Sequence, residues 1–218
     1  MIVVIGGTKG GTGKSTIATN LAVISAKEGH ETLLVETDPQ ENSACWVDVR
    51  TDLNVQPTIN SVIKYGSSLK NDIKALSQKF QHIIVDSGGH DSDNFRSILV
   101  VADVLITPFK ASSFDLWTTA KLDLTVSQAK IINERLRAYI ILNEVSPNPK
   151  MEDAPAAANY LSAELENFET LDFNIKHRVI YKRVIGKGKS VVEMQPADDK
   201  ANEEIMRLYR FIFNGQKD

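Results

Sequence analysis

Cysteine is almost missing from this sequence, since Cys45 is the only one among 218 residues. A single thiol forms no intrachain disulfide, so a disulfide-stapled scaffold is excluded and a reducing compartment is indicated. Long apolar runs are missing as well. No segment approaches the roughly 20 apolar residues of a membrane span, and no apolar stretch with a small-residue cleavage site marks a secretory signal. We therefore expect a soluble, cytoplasmic protein.

A strong excess of one charge is also missing, because the formal net charge is only −3. This balance excludes a protein that is basic all over, although it leaves room for a local basic patch. The chain is 42% hydrophobic and can bury one core, yet its length is short for two full domains. We expect residues 1–218 to form a single domain.

Short apolar runs alternate with longer amphipathic stretches, which is typical of a mostly parallel, twisted β-sheet flanked by helices. The runs are rich in Val, Ile and Leu and do not alternate with polar residues, as expected of strands buried on both faces. The predicted fold class is therefore α/β. The predicted strands are Ile2–Ile5, Thr32–Glu36, His82–Val85, Val104–Pro108 and Tyr139–Leu142. The predicted helices are Lys14–Glu28, Ser67–Lys79, Asp93–Val101, Ser113–Arg135, Ala156–Asn167 and Asp198–Phe213.

Two of the predicted helices carry an apolar stripe. In the long fourth helix, the residues whose spacing can share a buried face are Phe114, Trp117, Leu124 and Ile131. The closing helix has an apolar stripe with arginines opposite, a pattern that fits either packing onto the core or an interfacial membrane anchor. We expect packing. The stripe consists of Ile205, Leu208, Tyr209 and Ile212.

The segment GGTKGGTGKST, residues 6–16, contains most of a phosphate-binding loop. The pattern G-x-x-x-x-G-K-[ST] asks for glycine where this chain has Thr8, and it does not account for Lys9. Glycines let the backbone turn tightly and aim N–H groups at phosphate oxygens. The N-terminus of the following helix adds further unpaired N–H groups. We expect Lys14 to reach the β/γ-phosphates and the Ser15 hydroxyl to coordinate Mg²⁺ directly.

With Lys9 included, the loop resembles the deviant Walker A motif of the ParA/MinD family of ATPases, which does not require glycine at position 8. The resemblance implies a P-loop NTPase fold, ATP and Mg²⁺ as cofactors, and an ATPase that is slow unless a partner stimulates it. It also implies a homodimer that forms on ATP binding, in which Lys9 crosses to the partner's nucleotide. The implied nucleotide-binding residues of the loop are Lys9, Gly10, Gly11, Thr12, Gly13, Lys14, Ser15 and Thr16.

Three later segments resemble the same family in the same order. LLVETDPQENSACW, residues 33–46, is similar to its second strand, which makes Asp38 the carboxylate that places the attacking water and approaches the metal through water. HIIVDSGG, residues 82–89, is similar to its Walker B strand, with Asp86 holding Mg²⁺ through water and Gly88 and Gly89 opening the switch segment. YIILNEV, residues 139–145, resembles the strand whose terminal asparagine, here Asn143, contacts adenine. The implied catalytic residues are Lys9, Lys14 and Asp38.

The basic segment at residues 176–189, KHRVIYKRVIGKGK, contains no acidic residue. Such a local excess of positive charge in an acidic chain is the footprint of phosphate-backbone binding. The ending GKGKSVVE, residues 186–193, also looks like ParA-type sequences, whose ATP-bound dimers bind DNA without sequence preference. We predict that the DNA-binding residues are Arg178, Lys182, Arg183, Lys187 and Lys189.

The predicted function is an ATP-dependent partition ATPase that binds DNA nonspecifically, is nucleoid-associated when ATP-bound, and is released on hydrolysis. It would segregate a plasmid, chromosome or other cargo with a ParB-like or other adaptor protein, for which the surface near Ser112–Trp117 is a candidate. The first alternative is a MinD-like, membrane-associated positioning ATPase, and the second is an ATP-binding structural module that hydrolyses almost nothing. Cys45 alone cannot supply paired ligands for a cluster between two subunits, so cluster-linked branches fit poorly. No N-terminal helix-turn-helix domain is expected, because the loop strand already begins at Ile2.

Overall fold

The computed structural model describes residues 1–88, 92–111, 116–148, 151 and 153–215. Its strands are β1 (Ile2–Ile5), β2 (Thr32–Glu36), β3 (Asn60–Ile63), β4 (His82–Asp86), β5 (Val104–Lys110), β6 (Arg137–Val145) and β7 (Glu169–Lys176). They form one seven-stranded sheet in the order β3-β2-β4-β1-β5-β6-β7, and every pairing is parallel. The predicted α/β class with a parallel sheet is confirmed.

The crossovers between the strands are helical. The helices are α1 (Lys14–Lys27), α2 (Asn42–Asp52), α3 (Leu69–Leu76), α4 (Asp93–Leu99), α5 (Leu116–Ile132), α6 (Asp153–Glu164), α7 (Val179–Ile185) and α8 (Asp199–Phe213). A short 3₁₀ helix at Val191–Glu193 precedes α8. Because the carboxyl ends of all seven strands lie at one edge of the sheet, the loops that follow β1, β2, β4 and β6 come together there.

Both faces of the sheet are buried, which explains why the central strands are apolar throughout. In β1, Val3 and Ile5 join a core that includes residues of α1 and α8. The neighbouring Ile2 and Val4 join a second core, on the other face, with residues of α3, α4, α5 and α6. Side chains alternate between faces along a strand, so a fully apolar strand serves two cores at once.

Two strands and two α-helices were missed by the sequence prediction. The edge strand β3 is four residues long and mostly exposed, so its apolar signal is weak. The other edge strand, β7, alternates between exposed and buried positions along much of its length. Alternation is the mark of a strand covered on one face, whereas the prediction looked for continuous apolar runs. Helices α2 and α7 have no strong apolar stripe to reveal them, and their buried residues are few.

The predicted buried stripe of the long helix is wrong. Leu124 is 58% exposed and Ile131 is 79% exposed. The buried face of α5 instead contains Leu122, Val126 and Ala129. Several apolar residues occur on each side of this helix, so spacing alone could not select the buried side. Phe114 and the side chain of Trp117 lie outside the described residues.

The closing helix packs as expected. Ile205, Leu208, Tyr209 and Ile212 of α8 are all buried in the core that also contains α1. Throughout the part of the chain that the structure describes, no helix is both long enough and apolar enough to cross a membrane.

Two leucines of α5 provide a matched test of its orientation. Leu122→Ala removes a fully buried side chain and should lower the free energy of unfolding by about 2–5 kcal/mol. Leu124→Ala changes an exposed side chain and should shift it by no more than about 0.5 kcal/mol. Urea unfolding followed by circular dichroism measures both values. Equal losses in the two variants would contradict this orientation of the helix.

Candidate nucleotide site

The phosphate-loop segment lies between β1 and α1 and turns through left-handed glycines. Gly11 has φ 71° and Gly13 has φ 94°. Residues other than glycine rarely adopt these left-handed backbone conformations. A Cβ atom at Gly13 would also clash with the Asn143 amide nitrogen. The backbone conformation at Gly13 therefore favours glycine, and the absence of a side chain leaves room for the Asn143 amide. Gly13 caps α1, whose first turn follows directly.

The loop lysine Lys14 is almost fully buried, with 7% of its surface exposed. Its ammonium group donates a hydrogen bond to the backbone oxygen of Lys9 at 2.6 Å. Burial lowers the pKa of Lys14, and the carboxylates of Asp86 and Asp38 act in the opposite direction. The loop thus holds a partly desolvated cation close to two carboxylates.

Most of the predicted loop residues line one cavity. Asp38 borders the same cavity, together with Trp46 and Lys182. Thr12 is buried, and Lys9 is half-buried. The loop residues that line the cavity are Gly10, Gly11, Gly13, Lys14, Ser15 and Thr16.

Asp38 follows the end of β2 and lies against the segment after β4. Its carboxylate accepts a hydrogen bond from the Gln40 N–H at 3.0 Å. A Cβ atom at Gly88 would be 3.2 Å from this carboxylate, so the absence of a side chain at Gly88 allows the two loops to meet. Gly89, predicted to share that role, lies outside the described residues, as do residues 112–115 of the predicted partner surface.

Asp86 ends β4 and is 1% exposed. Burial, and then the nearby Glu36 carboxylate, raises the pKa of Asp86 to about 7, whereas a hydrogen bond with Ser15 and the charge of Lys14 act to lower it. Its Oδ2 atom has no hydrogen-bond partner among the described residues. A buried oxygen without a partner beside the Ser15 hydroxyl suits a hard cation such as Mg²⁺, which prefers oxygen ligands and keeps several waters.

Glu36 is a site residue that the sequence prediction missed. It is paired with Asp86 across the β2–β4 register and is equally buried. Its carboxylate accepts hydrogen bonds from the Asp38 N–H at 2.8 Å, and from the Ser43 N–H at 2.9 Å and hydroxyl at 2.8 Å. Glu36 therefore fixes the backbone on which Asp38 is mounted. A glutamate at the end of an otherwise apolar buried strand was the available signal.

Asn143 reaches the loop from β6. Its side-chain amide donates a hydrogen bond to the Thr12 backbone oxygen at 2.7 Å. It also lines a second cavity beside the loop, together with the apolar side chains of Ile175, Tyr181 and Ile185. The described contact ties the loop to β6. The predicted contact with adenine remains a prediction.

The basic segment continues from the end of β7 through α7. Arg178 is held by Glu204, with Nη2 and Oε1 2.6 Å apart and the arginine side chain 18% exposed. Lys182, Arg183 and Lys187 are exposed, whereas Lys189 is half-buried. Four of the five predicted DNA-binding residues therefore remain accessible, and the side chain of Arg178 is engaged inside the protein.

The loop after α7 is clamped to α2 by a buried ion pair, which the sequence prediction also missed. Arg50 is 1% exposed and binds both carboxylate oxygens of Glu193, at 2.7 and 2.8 Å. It also donates to the Gly188 oxygen at 2.7 Å. Because these residues lie far apart in sequence, no local pattern reports the contact. The clamp fixes the loop that carries Lys187 and Lys189.

Comparisons with known proteins show the family to which the chain belongs. The family of CobQ/CobB/MinD/ParA nucleotide binding domains matches residues 3–192. The maintenance of carboxysome distribution protein A of Halothiobacillus neapolitanus is 26% identical over 204 residues, which are 92% of this chain and 90% of that protein. Protein ParA of Rhizobium radiobacter is 25% identical over 147 residues, 67% of this chain and 65% of that protein.

Solved structures share the fold. An ATP complex of McdA from Cyanothece superimposes with a TM-score of 0.76 at 17% identity, covering 99% of this chain and 97% of that one. The MinD cell division protein of Aquifex aeolicus superimposes with a TM-score of 0.73 at 15% identity, covering 100% of this chain and 98% of that one. The predicted P-loop NTPase type of fold is confirmed.

The raised pKa of Asp86 has a consequence for stability. A carboxyl group whose folded pKa lies above its unfolded value favours folding most at low pH, and this contribution is lost as the pH rises towards 7. The free energy of unfolding of Asp86→Asn, relative to that of the unchanged protein, should therefore rise by more than about 1 kcal/mol from about pH 5 to about pH 8. Urea unfolding without nucleotide or Mg²⁺ measures the difference.

Asp52→Asn, at an exposed carboxylate of α2, serves as the control and should show no such trend. If the stability difference between Asp86→Asn and the unchanged protein were the same at both pH values, the pKa of Asp86 would not be raised in the folded protein.

Proposed function

Because the chain belongs to the family of CobQ/CobB/MinD/ParA nucleotide binding domains, we propose that it is an ATPase that positions intracellular cargo. The resemblance to ParA/MinD ATPases is confirmed, since its relatives and structural neighbours are of the ParA, MinD and McdA types. In the proposed cycle, ATP closes a homodimer, the dimer binds DNA without sequence preference, and hydrolysis releases it.

The observation that carries the proposal is the meeting of Lys14, Asp38 and Asp86 at the phosphate loop. The loop N–H groups and Lys14 would bind the β- and γ-phosphates. The Asp38 carboxylate would align the attacking water at the γ-phosphate. Ser15 and Asp86 would hold Mg²⁺, which neutralises developing charge on the phosphates. Phosphoryl transfer to water needs alignment and charge neutralisation more than covalent chemistry, and these residues supply both.

Lys9 is the proposed link between hydrolysis and assembly. Its backbone oxygen accepts the hydrogen bond from the Lys14 ammonium group, so the backbone at Lys9 lies beside the phosphate-binding lysine. We propose that the Lys9 side chain contacts the nucleotide of the partner subunit. Each site would then be complete only in the dimer, and turnover would be slow while the protein is monomeric.

The proposed DNA surface consists of Lys182, Arg183, Lys187 and Lys189. Contacts with phosphates position a protein on a duplex without reading its sequence. Arg178, which was predicted to belong to this set, is bound to Glu204, so the proposal does not depend on it. A dimer presents the surface twice, so that ATP could raise the affinity for DNA through avidity alone.

The cargo is proposed only as a class. The relatives in this group carry names for carboxysome distribution and for ParA, and a neighbouring structure is named as a plasmid partition protein. A similar role with a ParB-like or other adaptor is proposed here, with nucleoid association in the ATP-bound state. In the MinD-like alternative the dimer would bind membranes. The apolar stripe of α8, which would serve as an anchor in that case, is buried in the core.

Binding to a random-sequence DNA duplex, measured with ATP, ADP and a nonhydrolysable analogue at several salt concentrations, tests the proposal. We expect tight binding only with the triphosphates and a steep loss with salt. The variant changes Arg183, Lys187 and Lys189 to glutamine and leaves Lys182, which borders the nucleotide cavity. For this variant, the slope of the logarithm of the DNA-binding constant against the logarithm of the salt concentration should become shallower. We expect a change of about 1 for each DNA phosphate that is no longer neutralised.

A matched control changes Lys70, Lys74 and Lys79 to glutamine, which removes equal charge from exposed positions elsewhere. The control should bind DNA as the unchanged protein does. The proposed DNA surface would be refuted if the affinity for DNA did not depend on the nucleotide. It would also be refuted if the first variant kept its affinity for DNA while the control lost it. Triphosphate-dependent binding to anionic vesicles, without any binding to DNA, would favour the membrane alternative.

A further inference from the structure

Two cavities meet beside the phosphate loop. One contains the loop residues, Lys14 and Asp38, and suits phosphates. The other is lined by Asn143 and the apolar side chains of Ile175 and Tyr181, and it would receive the base if Asn143 contacts adenine as predicted. The residues common to the walls of both cavities are Gly13, Thr16, Glu144, Lys182 and Ile185.

If a nucleotide spans both cavities, its sugar would lie beside these shared residues, because the ribose connects the base with the phosphates. Ribose hydroxyls are hydrogen-bond donors as well as acceptors. Lys182 can only donate, and the Thr16 hydroxyl offers a single oxygen. Glu144 alone among the shared residues carries a carboxylate, which has two acceptor oxygens and can accept from neighbouring hydroxyls.

The backbone of Glu144 has an unusual conformation. Its φ of 54° lies in the left-handed region, immediately after Asn143 and within β6. This conformation is unfavourable for a non-glycine residue, and such residues concentrate at ligand sites where the surrounding structure enforces them. The conformation interrupts the regular alternation of β6, where the pairing with β7 also shifts register between Leu142 and Val145.

The Glu144 carboxylate is anchored on one side. The Lys110 ammonium lies 3.0 Å from Oε2, and the His177 ring nitrogen Nδ1 lies 3.7 Å from the same oxygen. Among the described residues, Oε1 has no ion-pair partner. Lys110 ends β5 and neighbours β6 in the sheet, so it can hold the carboxylate in place without occupying both of its oxygens.

We propose that Glu144 recognises the ribose hydroxyls of the bound nucleotide and so selects ribonucleoside triphosphates over 2′-deoxyribonucleoside triphosphates. This inference depends on the proposed nucleotide site and adds to it a sugar-specific contact. A carboxylate that accepts from a ribose hydroxyl cannot form that hydrogen bond when the hydroxyl is absent. With a 2′-deoxy sugar, the Glu144 carboxylate would lack this hydrogen-bond donor, which would weaken binding.

Equilibrium binding of ATP and of 2′-deoxy-ATP, each with Mg²⁺, tests the inference through the ratio of their dissociation constants. The unchanged protein should prefer ATP by about tenfold, the loss expected for one hydrogen bond to a charged group. Glu144→Gly keeps the left-handed backbone free of strain and should bring the ratio close to one. Glu144→Asn also tolerates this backbone, and its shorter side chain should lower the ratio as well.

The ratio separates a sugar contact from a general effect, because loss of stability or of local charge would change both affinities together. Glu134→Gly, in an exposed turn before β6, is the control and should keep the preference of the unchanged protein. If ATP binds but 2′-deoxy-ATP binds equally well, or if the Glu144 variants keep the full preference, the inference is wrong while the nucleotide site stands. If ATP does not bind at all, the proposed function fails first.

Discussion

Two buried carboxylates, Glu36 and Asp86, lie side by side where β2 and β4 end, and the rest of the site is arranged around them. Like charges in a buried place favour protonation of one member of the pair. Neighbouring groups stabilise the two carboxylates in different ways. Hydrogen-bond donors from Asp38 and Ser43 satisfy Glu36, while Lys14 and Ser15 act on Asp86.

This arrangement makes the charge balance of the site depend on its ligands. A cation that neutralises Asp86 would relieve the carboxylate pair, and phosphates would in turn relieve the desolvated Lys14. The two groups that the ligand would satisfy are therefore already close together before it binds. Such preorganised charge costs stability in the free protein, as is usual at sites whose pKa values are displaced.

The phosphate loop is held between the two halves of the sheet. It leaves β1 at the centre, while Asn143 of β6 holds it through the Thr12 oxygen from one side. On the other side Asp38, mounted on Glu36, touches the loop after β4 at Gly88. The basic segment belongs to the same assembly, since Arg50 of α2 clamps it through Glu193 and Gly188. The nucleotide cavity and the proposed DNA surface thus share a wall at Lys182.

The sequence alone could predict those parts whose signal is local. Gly13, Lys14 and Ser15 follow one another, and Asp86 ends a continuous apolar strand. The phosphate loop and this aspartate could therefore be assigned to the site from their spacing and order. Contacts between distant segments could not be predicted in this way. Arg50 and Glu193 are 143 positions apart, and Arg178 looks like a free cation in the sequence, where nothing indicates Glu204 beside it. The orientation of α5 was predicted wrongly because apolar residues occur on both of its sides.

Complementation between two inactive variants tests whether each ATPase site is completed by the partner's Lys9, as proposed. Lys9→Ala and Asp38→Asn should each hydrolyse ATP very slowly alone. In a mixed dimer, the Lys9→Ala subunit keeps its own Asp38 and receives Lys9 from its partner, so one site is complete. We predict that mixing the two variants restores part of the turnover of the unchanged protein. If mixing restores nothing although both variants still bind ATP and dimerise, Lys9 does not act across the interface, and the account of hydrolysis as a property of the dimer is contradicted.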